Sequence, residues 1–215
     1  MTDYLTEQEQ IELLKNWIKQ YSLVIIAGAC IAIIAITGWR YWQQRQNKIL
    51  SHASAVYDEM LTMRAQNNSA ATITHAKKLY DHYAQTTYGH IAALMLAREA
   101  INNKKYMEGK NYLNWVINHS RIASIRQIAR LRLARLLIAE QKPDEALHIL
   151  SKNNQNSFDG LTDEIRGDAY LVMKNKEMAR KSYQRALSEL PNAEVIRPLL
   201  QMKYDNLATY PSTSS

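Results

Sequence analysis

The feature that most constrains this chain is an uncharged stretch of 20 residues, 20–39, most of which are apolar. Twenty helical residues rise by about 30 Å, which matches the hydrocarbon core of a bilayer. Trp17 precedes the stretch and Trp42 follows it, where amphipathic rings prefer the headgroup layer. The sequence therefore predicts a single transmembrane helix over residues 21–42.

Two kinds of processing are alternatives to a permanent anchor: a cleaved signal peptide, and a lipoprotein signal that ends at Cys30. Only a short apolar segment precedes Cys30, and the apolar run continues to Ile36. Cleavage at either kind of site would leave a hydrophobic stub on the mature chain. A permanent anchor is therefore favoured.

Charge leaves the orientation of the anchor open. The tail of residues 1–20 carries four acidic and two basic side chains, and the Lys and Arg residues near the helix show no clear bias to one side. Within the tail, Thr6 and Glu9 have the spacing of a capping box. The tail is therefore predicted to be helical, either as an extension of the anchor or as a contact for a partner.

A repeat follows the anchor. The segment LxLAR at 94–98 recurs at 131–135 and, more loosely, at 165–168, so the units are 37 and then 33 residues apart. In each unit a second small residue follows the first after twelve positions, and a large residue comes four positions later. The three sets are Ala97, Gly109 and Leu113; Ala134, Ala146 and Leu150; and Gly167, Ala179 and Tyr183.

This spacing resembles the tetratricopeptide repeat, a helix-turn-helix of about 34 residues. Small residues at the two positions let paired helices approach closely, and the large residue fills the groove beside them. The predicted fold class is all-α: a single N-terminal transmembrane helix followed by a tetratricopeptide-like α-solenoid of helix pairs over residues 43–207. A terminal helix near 194–208 is expected to cap the stack, followed by a disordered tail at 208–215.

Motifs for catalysis are missing from the sequence. The chain has six histidines, none in a His-x-x-x-His pair, and one cysteine, which cannot form an internal disulfide or a Cys-based zinc site. It has no nucleophile elbow and no phosphate-binding Gly-rich loop. We therefore predict a non-enzymatic protein with no catalytic residues, cofactor, metal or small-molecule substrate.

Two sets of residues are candidates for binding. Gly28, Ala32 and Ala35 place small side chains on one face of the anchor, against which another transmembrane helix could pack. The residues that follow the first small position of each repeat are expected to face the concave groove and to contact a partner. These are Arg98, Arg135 and Asp168.

Five arginines cluster within residues 121–135, and a basic patch of this kind can bind nucleic acid. Aromatic residues are not interleaved with them, and the domain is expected outside the cytoplasm. We therefore predict no nucleic-acid partner. Membrane lipids or an acidic partner surface fit the patch better, and a solvated helix face is the alternative.

Several segments, in the same order along nearly the whole chain, resemble the YfgM-like proteins, the ancillary subunits of the SecYEG translocon in Gram-negative bacteria. The segments are GWRYW at 38–42, YG at 88–89, LRLAR at 131–135, RGDA at 166–169 and QMKxxNL at 201–207. The resemblance implies a single-pass inner-membrane protein with its N-terminus in the cytoplasm and its repeat domain in the periplasm. It also implies association with SecYEG and with PpiD, a membrane-anchored periplasmic chaperone.

The function expected from the sequence is thus that of an interaction subunit that links translocation to periplasmic chaperones. The alternative is a membrane-anchored periplasmic scaffold for another envelope complex, such as one for division or outer-membrane assembly.

Overall fold

The computed structural model describes residues 7–152, 158–190 and 197–207, and all regular structure within these ranges is helical. The all-α fold class is thereby confirmed. The helices are α1 (Glu7–Ala65), α2 (Ser69–His82), α3 (Thr87–Asn102), α4 (Tyr106–His119), α5 (Ala123–Ala139), α6 (Pro143–Ser151), α7 (Asp159–Val172), α8 (Lys176–Glu189) and α9 (Arg197–Asp205). The capping box at Thr6 and the predicted tail at 208–215 lie outside the described residues.

The chain divides into two units, Met1–His52 and Ala53–Ser215. In the first unit, most of the described apolar side chains of α1 are exposed, among them Leu23 by 79%, Ile34 by 69% and Trp39 by 65%. Because α1 bends by 43° between Lys15–Val24 and Ile26–Ala65, no single straight helix among the described residues is long and apolar enough to cross a bilayer, although the two segments together are. The single spanning helix over 21–42 is not confirmed and stays a prediction.

The second unit is a stack of helices in which, from α2 to α9, each helix packs on the next one along the chain, and the C-terminal part of α1 shares a core cluster with α2 and α3. The first helices of the pairs also pack on one another, because α5 contacts both α3 and α7. Such a double set of neighbours is typical of a solenoid, in which every repeat contacts the repeats beside it. The predicted tetratricopeptide-like arrangement of helix pairs is present.

Small residues let the paired helices approach closely, as the repeat spacing predicts. Ala97 and Ala134 are buried on the first helices of their pairs. At Gly109, on α4, an added Cβ would lie 2.7 Å from Cγ1 of Ile101 and 3.2 Å from the carbonyl oxygen of Ala97. A side chain larger than hydrogen therefore does not fit between α3 and α4 at this position.

The structure contains one helix pair more than the sequence pattern indicates. Among the residues that the structure describes, four non-glycine residues have positive φ: Asn67 (56°), Lys104 (61°), Gln141 (62°) and Lys174 (61°), which are spaced by 37, 37 and 33 residues. Each of these residues lies in the turn that follows the first helix of a pair. The first pair is therefore the C-terminal part of α1 with α2, and buried Met60 occupies its small-residue position, 37 residues before Ala97.

The turns share one hydrogen-bond pattern. In the α3–α4 turn, the Lys104 amide donates to the carbonyl of Ile101 (3.0 Å) and the Lys105 amide to that of Ala100 (2.8 Å), as in a Schellman motif. A left-handed conformation costs a non-glycine residue about 1 kcal/mol. We therefore expect Lys104→Gly to raise the free energy of unfolding by about 1 kcal/mol in thermal or denaturant unfolding.

The matched control is Asn103→Gly, because Asn103 precedes Lys104 but has an ordinary φ of −83°. This change is expected to lower the stability, since glycine adds chain entropy to the unfolded state without relieving any strain, and it also removes the exposed hydrogen bond from Asn103 to Glu99. Equal effects of the two glycines would contradict the role of the left-handed conformation.

Candidate functional site

A cavity of about 680 Å³ lies between α3, α4 and α5. Its apolar lining comes from Ala97, Ile101, Leu113, Leu136 and Ala139, and Tyr106 adds a ring that is 44% exposed. The polar lining consists of Arg98, Asn102, Arg132, Arg135 and Glu140. The cavity thus combines an apolar lining with three guanidinium groups.

The structure brings together two of the three predicted groove residues, Arg98 and Arg135. Arg98 is exposed and makes no hydrogen bond or ion pair with the other described residues. Arg135 is 52% exposed, and its Nη2 lies 3.3 Å from Oε2 of Glu164 on α7. Both residues follow a buried alanine, Ala97 or Ala134, and this position in the helix turns them towards the cavity.

Arg132 also lines the cavity, and the repeat pattern does not single it out. Its Nη1 donates to the carbonyl oxygen of Leu94 (3.1 Å), which connects α5 to α3. Partial burial and the nearby charges of Arg98 and Arg135 lower the pKa of Arg132. Arg132 precedes Arg135 by three residues, and residues with this spacing share one face of a helix. The spacing from Arg135 is therefore the sequence feature from which a place for Arg132 at this cavity could have been predicted.

The third predicted groove residue, Asp168, does not line this cavity. Its Oδ1 accepts a hydrogen bond from the hydroxyl of Tyr183 (2.7 Å) and another from Nζ of Lys203 (2.8 Å). Burial and the hydrogen bond to Asp168 raise the pKa of Tyr183. Burial alone would lower the pKa of Lys203, but its hydrogen bonds with Asp168 and Glu164 outweigh this effect and raise it. Asp168 therefore holds α7, α8 and α9 together, and partner contact at this residue stays a prediction.

A second cavity of about 240 Å³ shares Arg98 and Asn102 with the first. It is lined further by residues of α2 and by Arg64 near the end of α1. The two adjoining cavities are together called the arginine groove here. Its four arginines are Arg64, Arg98, Arg132 and Arg135.

The two carboxylates of the arginine groove have partners of their own. Oε2 of Glu140 lies 2.8 Å from Nζ of Lys110 and 3.6 Å from Nζ of Lys142. The hydrogen bond from Lys110 is the main cause of the lowered pKa of Glu140. Glu99 accepts a hydrogen bond from the side-chain amide of Asn103 (2.9 Å). Four arginines against two carboxylates, of which Glu140 is already paired with lysines, leave the groove positive.

The lowered pKa of Glu140 gives a prediction about pH. Such a group stabilises the fold above its unfolded pKa of about 4.3, and this stabilisation is lost as the pH falls through its folded pKa. We expect Lys110→Met to lower the free energy of unfolding by about 1 kcal/mol at pH 7, and the difference from the parent protein to shrink as the pH falls below about 4.3 towards the lower folded pKa of Glu140. Denaturant unfolding at a series of pH values checks this.

Lys142→Met is the matched control, because Lys142 is 47% exposed and lies farther from Glu140. Its effect at pH 7 should be smaller than that of Lys110→Met. A difference between Lys110→Met and the parent protein that stays constant from pH 7 to pH 3 would contradict the pairing.

The residues proposed for packing on the anchor, Gly28, Ala32 and Ala35, are all exposed. An added Cβ at Gly28 would meet no atom within 4 Å. Their face of α1 is free within the described residues, and the prediction that another helix packs there stays a prediction.

Within residues 7–152, 158–190 and 197–207, no group of three or more His, Cys, Asp or Glu side chains is placed to hold a metal ion. Cys30 is exposed. His90 is buried against Trp115, with ring centroids 5.5 Å apart, and burial followed by the proximity of His119 lowers the pKa of His90.

The fold and the groove define a repeat scaffold, the class of protein that presents a channel along stacked helix pairs. The family model of the tetratricopeptide repeat-like domain matches residues 15–209, and the chain belongs to this family. No solved structure matches the chain.

Curated proteins similar to this chain over almost its whole length are named ancillary SecYEG translocon subunit. The protein of Neisseria gonorrhoeae is 29% identical over 96% of this chain and 100% of its own length. That of Haemophilus influenzae is 25% identical, over 94% and 98%, and that of Escherichia coli is 24% identical, over 97% and 100%. The resemblance found in the sequence motifs is confirmed.

Proposed function

We propose that this protein is a non-enzymatic interaction subunit that associates with the SecYEG translocon at the bacterial inner membrane. The observation that carries the proposal is the similarity, from end to end, to relatives that are named ancillary SecYEG translocon subunits. The repeat fold is consistent with it, because stacked helix pairs offer extended surfaces for binding other proteins.

The proposal includes a single membrane-spanning helix over residues 21–42. Exposed apolar side chains support it, since Leu23, Ile31 and Ile34 would be unfavourable in water and favourable in lipid. Trp39 and Trp42 pack together near one end, with ring centroids 5.6 Å apart, where a headgroup layer would accommodate them. Membrane lipids are thus one partner.

The proposed topology places residues 1–20 in the cytoplasm and the repeat domain of residues 43–207 in the periplasm. The resemblance to the YfgM-like proteins supports this orientation, and charge does not decide it. The proposed second protein partner is a PpiD-like periplasmic chaperone. Because the anchor would keep the repeat domain beside the translocon, a weak contact with the chaperone would suffice, as tethering raises its effective concentration.

Site-specific photo-crosslinking in intact cells tests the proposal. A photoreactive amino acid is placed on the anchor at Gly28 or Ala32 and in the arginine groove at Arg98 or Arg135, and the adducts are identified by mass spectrometry. We expect translocon subunits at the anchor positions and a periplasmic chaperone or translocon subunit at the groove positions. Position Arg121, which is exposed and lines neither cavity of the groove, is the control.

Adducts that contain only proteins of division or outer-membrane assembly would overturn the translocon assignment and favour a scaffold for another envelope complex. Adducts equal in yield and identity at Arg121 and Arg98 would show that the groove has no particular role in binding.

A further inference from the structure

Arg98 stands at the centre of the arginine groove, because it lines both cavities. It is exposed and has no carboxylate partner among the described residues. A guanidinium group is a fork of donors that matches a carboxylate in geometry and charge. Its free donors make Arg98 the group in this groove that is most available to an acidic ligand.

The charges around Arg98 favour the same ligand. Arg132 and Arg135 line the larger cavity with it, and its only carboxylate, on Glu140, is already paired with Lys110 at 2.8 Å. Arg135 is half exposed although it contacts Glu164. An anion in this cavity would relieve the repulsion between neighbouring guanidinium groups, and this attraction is strengthened where water is partly excluded.

The apolar lining determines what else the ligand carries. Ile101 and Leu136 face the cavity, and the ring of Tyr106 is 44% exposed beside them. The volume of about 680 Å³ is large enough for several side chains. A simple inorganic anion would leave this surface in contact with water, whereas a peptide with apolar residues would cover it.

The second cavity adjoins the first at Arg98 and Asn102, which line both. An extended segment could place side chains in both cavities. This arrangement favours an acidic side chain within a segment over the carboxylate at the end of a chain.

We infer that the arginine groove binds an extended segment of a partner protein, with an Asp or Glu side chain on Arg98 and Arg135 and apolar neighbours against Ile101 and Leu136. The inference rests on the proposed function, since it names the chemistry of the partner that the interaction subunit recognises. It assigns Arg98 as the main contact and Arg135 as the second.

Fluorescence anisotropy with the purified full chain in detergent micelles tests the inference. The probe is a labelled nonapeptide with amidated C-terminus, Gly-Ser-Leu-Glu-Ile-Asp-Leu-Ser-Gly, and the matched probe carries Gln and Asn in place of Glu and Asp. We expect the acidic probe to bind at least about tenfold more tightly than the amide probe, because the amide probe lacks the carboxylates that form charged hydrogen bonds with the arginines. Salt should weaken the acidic probe only.

Variants of the groove locate the site. Arg98→Gln and Arg135→Gln are each expected to weaken the acidic probe by about tenfold and to leave the amide probe unchanged. Arg121→Gln removes the same charge from an exposed position outside both cavities and is expected to have no effect. Arg98→Gln and Arg121→Gln should keep the thermal midpoint of the parent protein, since Arg98 has no contact whose loss would unfold the protein. Arg135→Gln loses the ion pair with Glu164 and should melt somewhat lower, so its helical circular dichroism spectrum at the assay temperature shows that it is folded.

Equal affinities for the acidic and the amide probe would overturn the inference, as would an equal effect of Arg121→Gln and Arg98→Gln. Vesicles with and without phosphatidylglycerol are the third probe, because the anchor would bind both kinds and only the difference reports on a basic groove. Loss of that difference in Arg98→Gln with unchanged peptide binding would assign the groove to lipid and also overturn the inference. If these tests fail while crosslinks from Gly28 to the translocon persist, the proposed function stands without this groove chemistry.

Discussion

Replacing Gly167 by valine is expected to lower the free energy of unfolding by about 3 kcal/mol, because the position has no room for a side chain. A Cβ at Gly167 would overlap the ring of Tyr183 on α8. The ring cannot turn aside, since Tyr183 is fully buried and its hydroxyl is hydrogen-bonded to Asp168 at 2.7 Å. A helix gains at most about 1 kcal/mol when glycine is replaced, so the overlap decides the outcome.

Thermal unfolding of the full chain in micelles, followed by circular dichroism, measures this loss as a drop of roughly 6–12 °C in the Tm. Gly38→Val is the control, because an added Cβ at Gly38 would meet no atom within 4 Å. The same change in a Tyr183→Leu background should cost less, since the ring is then gone. Equal costs in the two backgrounds would show that the overlap with Tyr183 is not the cause.

The stack of helix pairs could be predicted from the sequence because small residues at a fixed spacing mark the positions where two helices approach closely. Gly167 lies against the ring of Tyr183, and Gly109 lies against Ile101. In both pairs the glycine is therefore present because the packing leaves little room for a side chain.

The first helix pair could not be read from the same pattern. Met60 occupies the position of the small residue, and a flexible side chain can fill such a site when the helices are spaced slightly farther apart. The recurrent turn could not be predicted from the sequence either, since Asn, Lys or Gln occupies the left-handed position at each of these four turns instead of glycine. Where the packing of the two flanking helices imposes a backbone conformation, the residue type does not reveal it.

The groove was predicted in part. Arg98 and Arg135 follow buried alanines and face one cavity, as the repeat register indicates. Asp168 has the same register, but next to it lie Tyr183 and Lys203, which are 15 and 35 residues further along the chain. Register predicts the direction in which a side chain points. It does not predict which residue of a later helix will meet it, because that depends on tertiary packing.

Lys203 connects α9 to α7 at the end of the stack. Its Nζ lies 2.9 Å from Oε1 of Glu164 and 2.8 Å from Oδ1 of Asp168, so one ammonium group joins two carboxylates of α7. The side chain of Glu164 is 8% exposed, and a carboxylate at such a site is costly without its partner. We therefore expect Lys203→Met to lower the free energy of unfolding by about 2 kcal/mol at pH 7.

The partners that remain keep this loss moderate, since Glu164 retains Arg135 and Asp168 retains the Tyr183 hydroxyl. The pKa of Lys203 is raised in the folded protein, so its stabilisation is present below about pH 10.4 and is lost as the pH rises through the folded pKa. The difference between Lys203→Met and the parent protein should therefore be constant from pH 7 to pH 9 and shrink at higher pH. Denaturant unfolding of the full chain measures it.

Lys181→Met is the matched control, because Lys181 also pairs with a carboxylate, Glu177 at 2.6 Å, but both side chains are largely exposed. Solvent screens such a pair, so the change should have little effect. In a double-mutant cycle, Lys203→Met should cost clearly less in an Asp168→Asn background. Similar costs for Lys203→Met and Lys181→Met, or full additivity with Asp168→Asn, would mean that α9 is held by the packing of buried Leu200 and not by its charge.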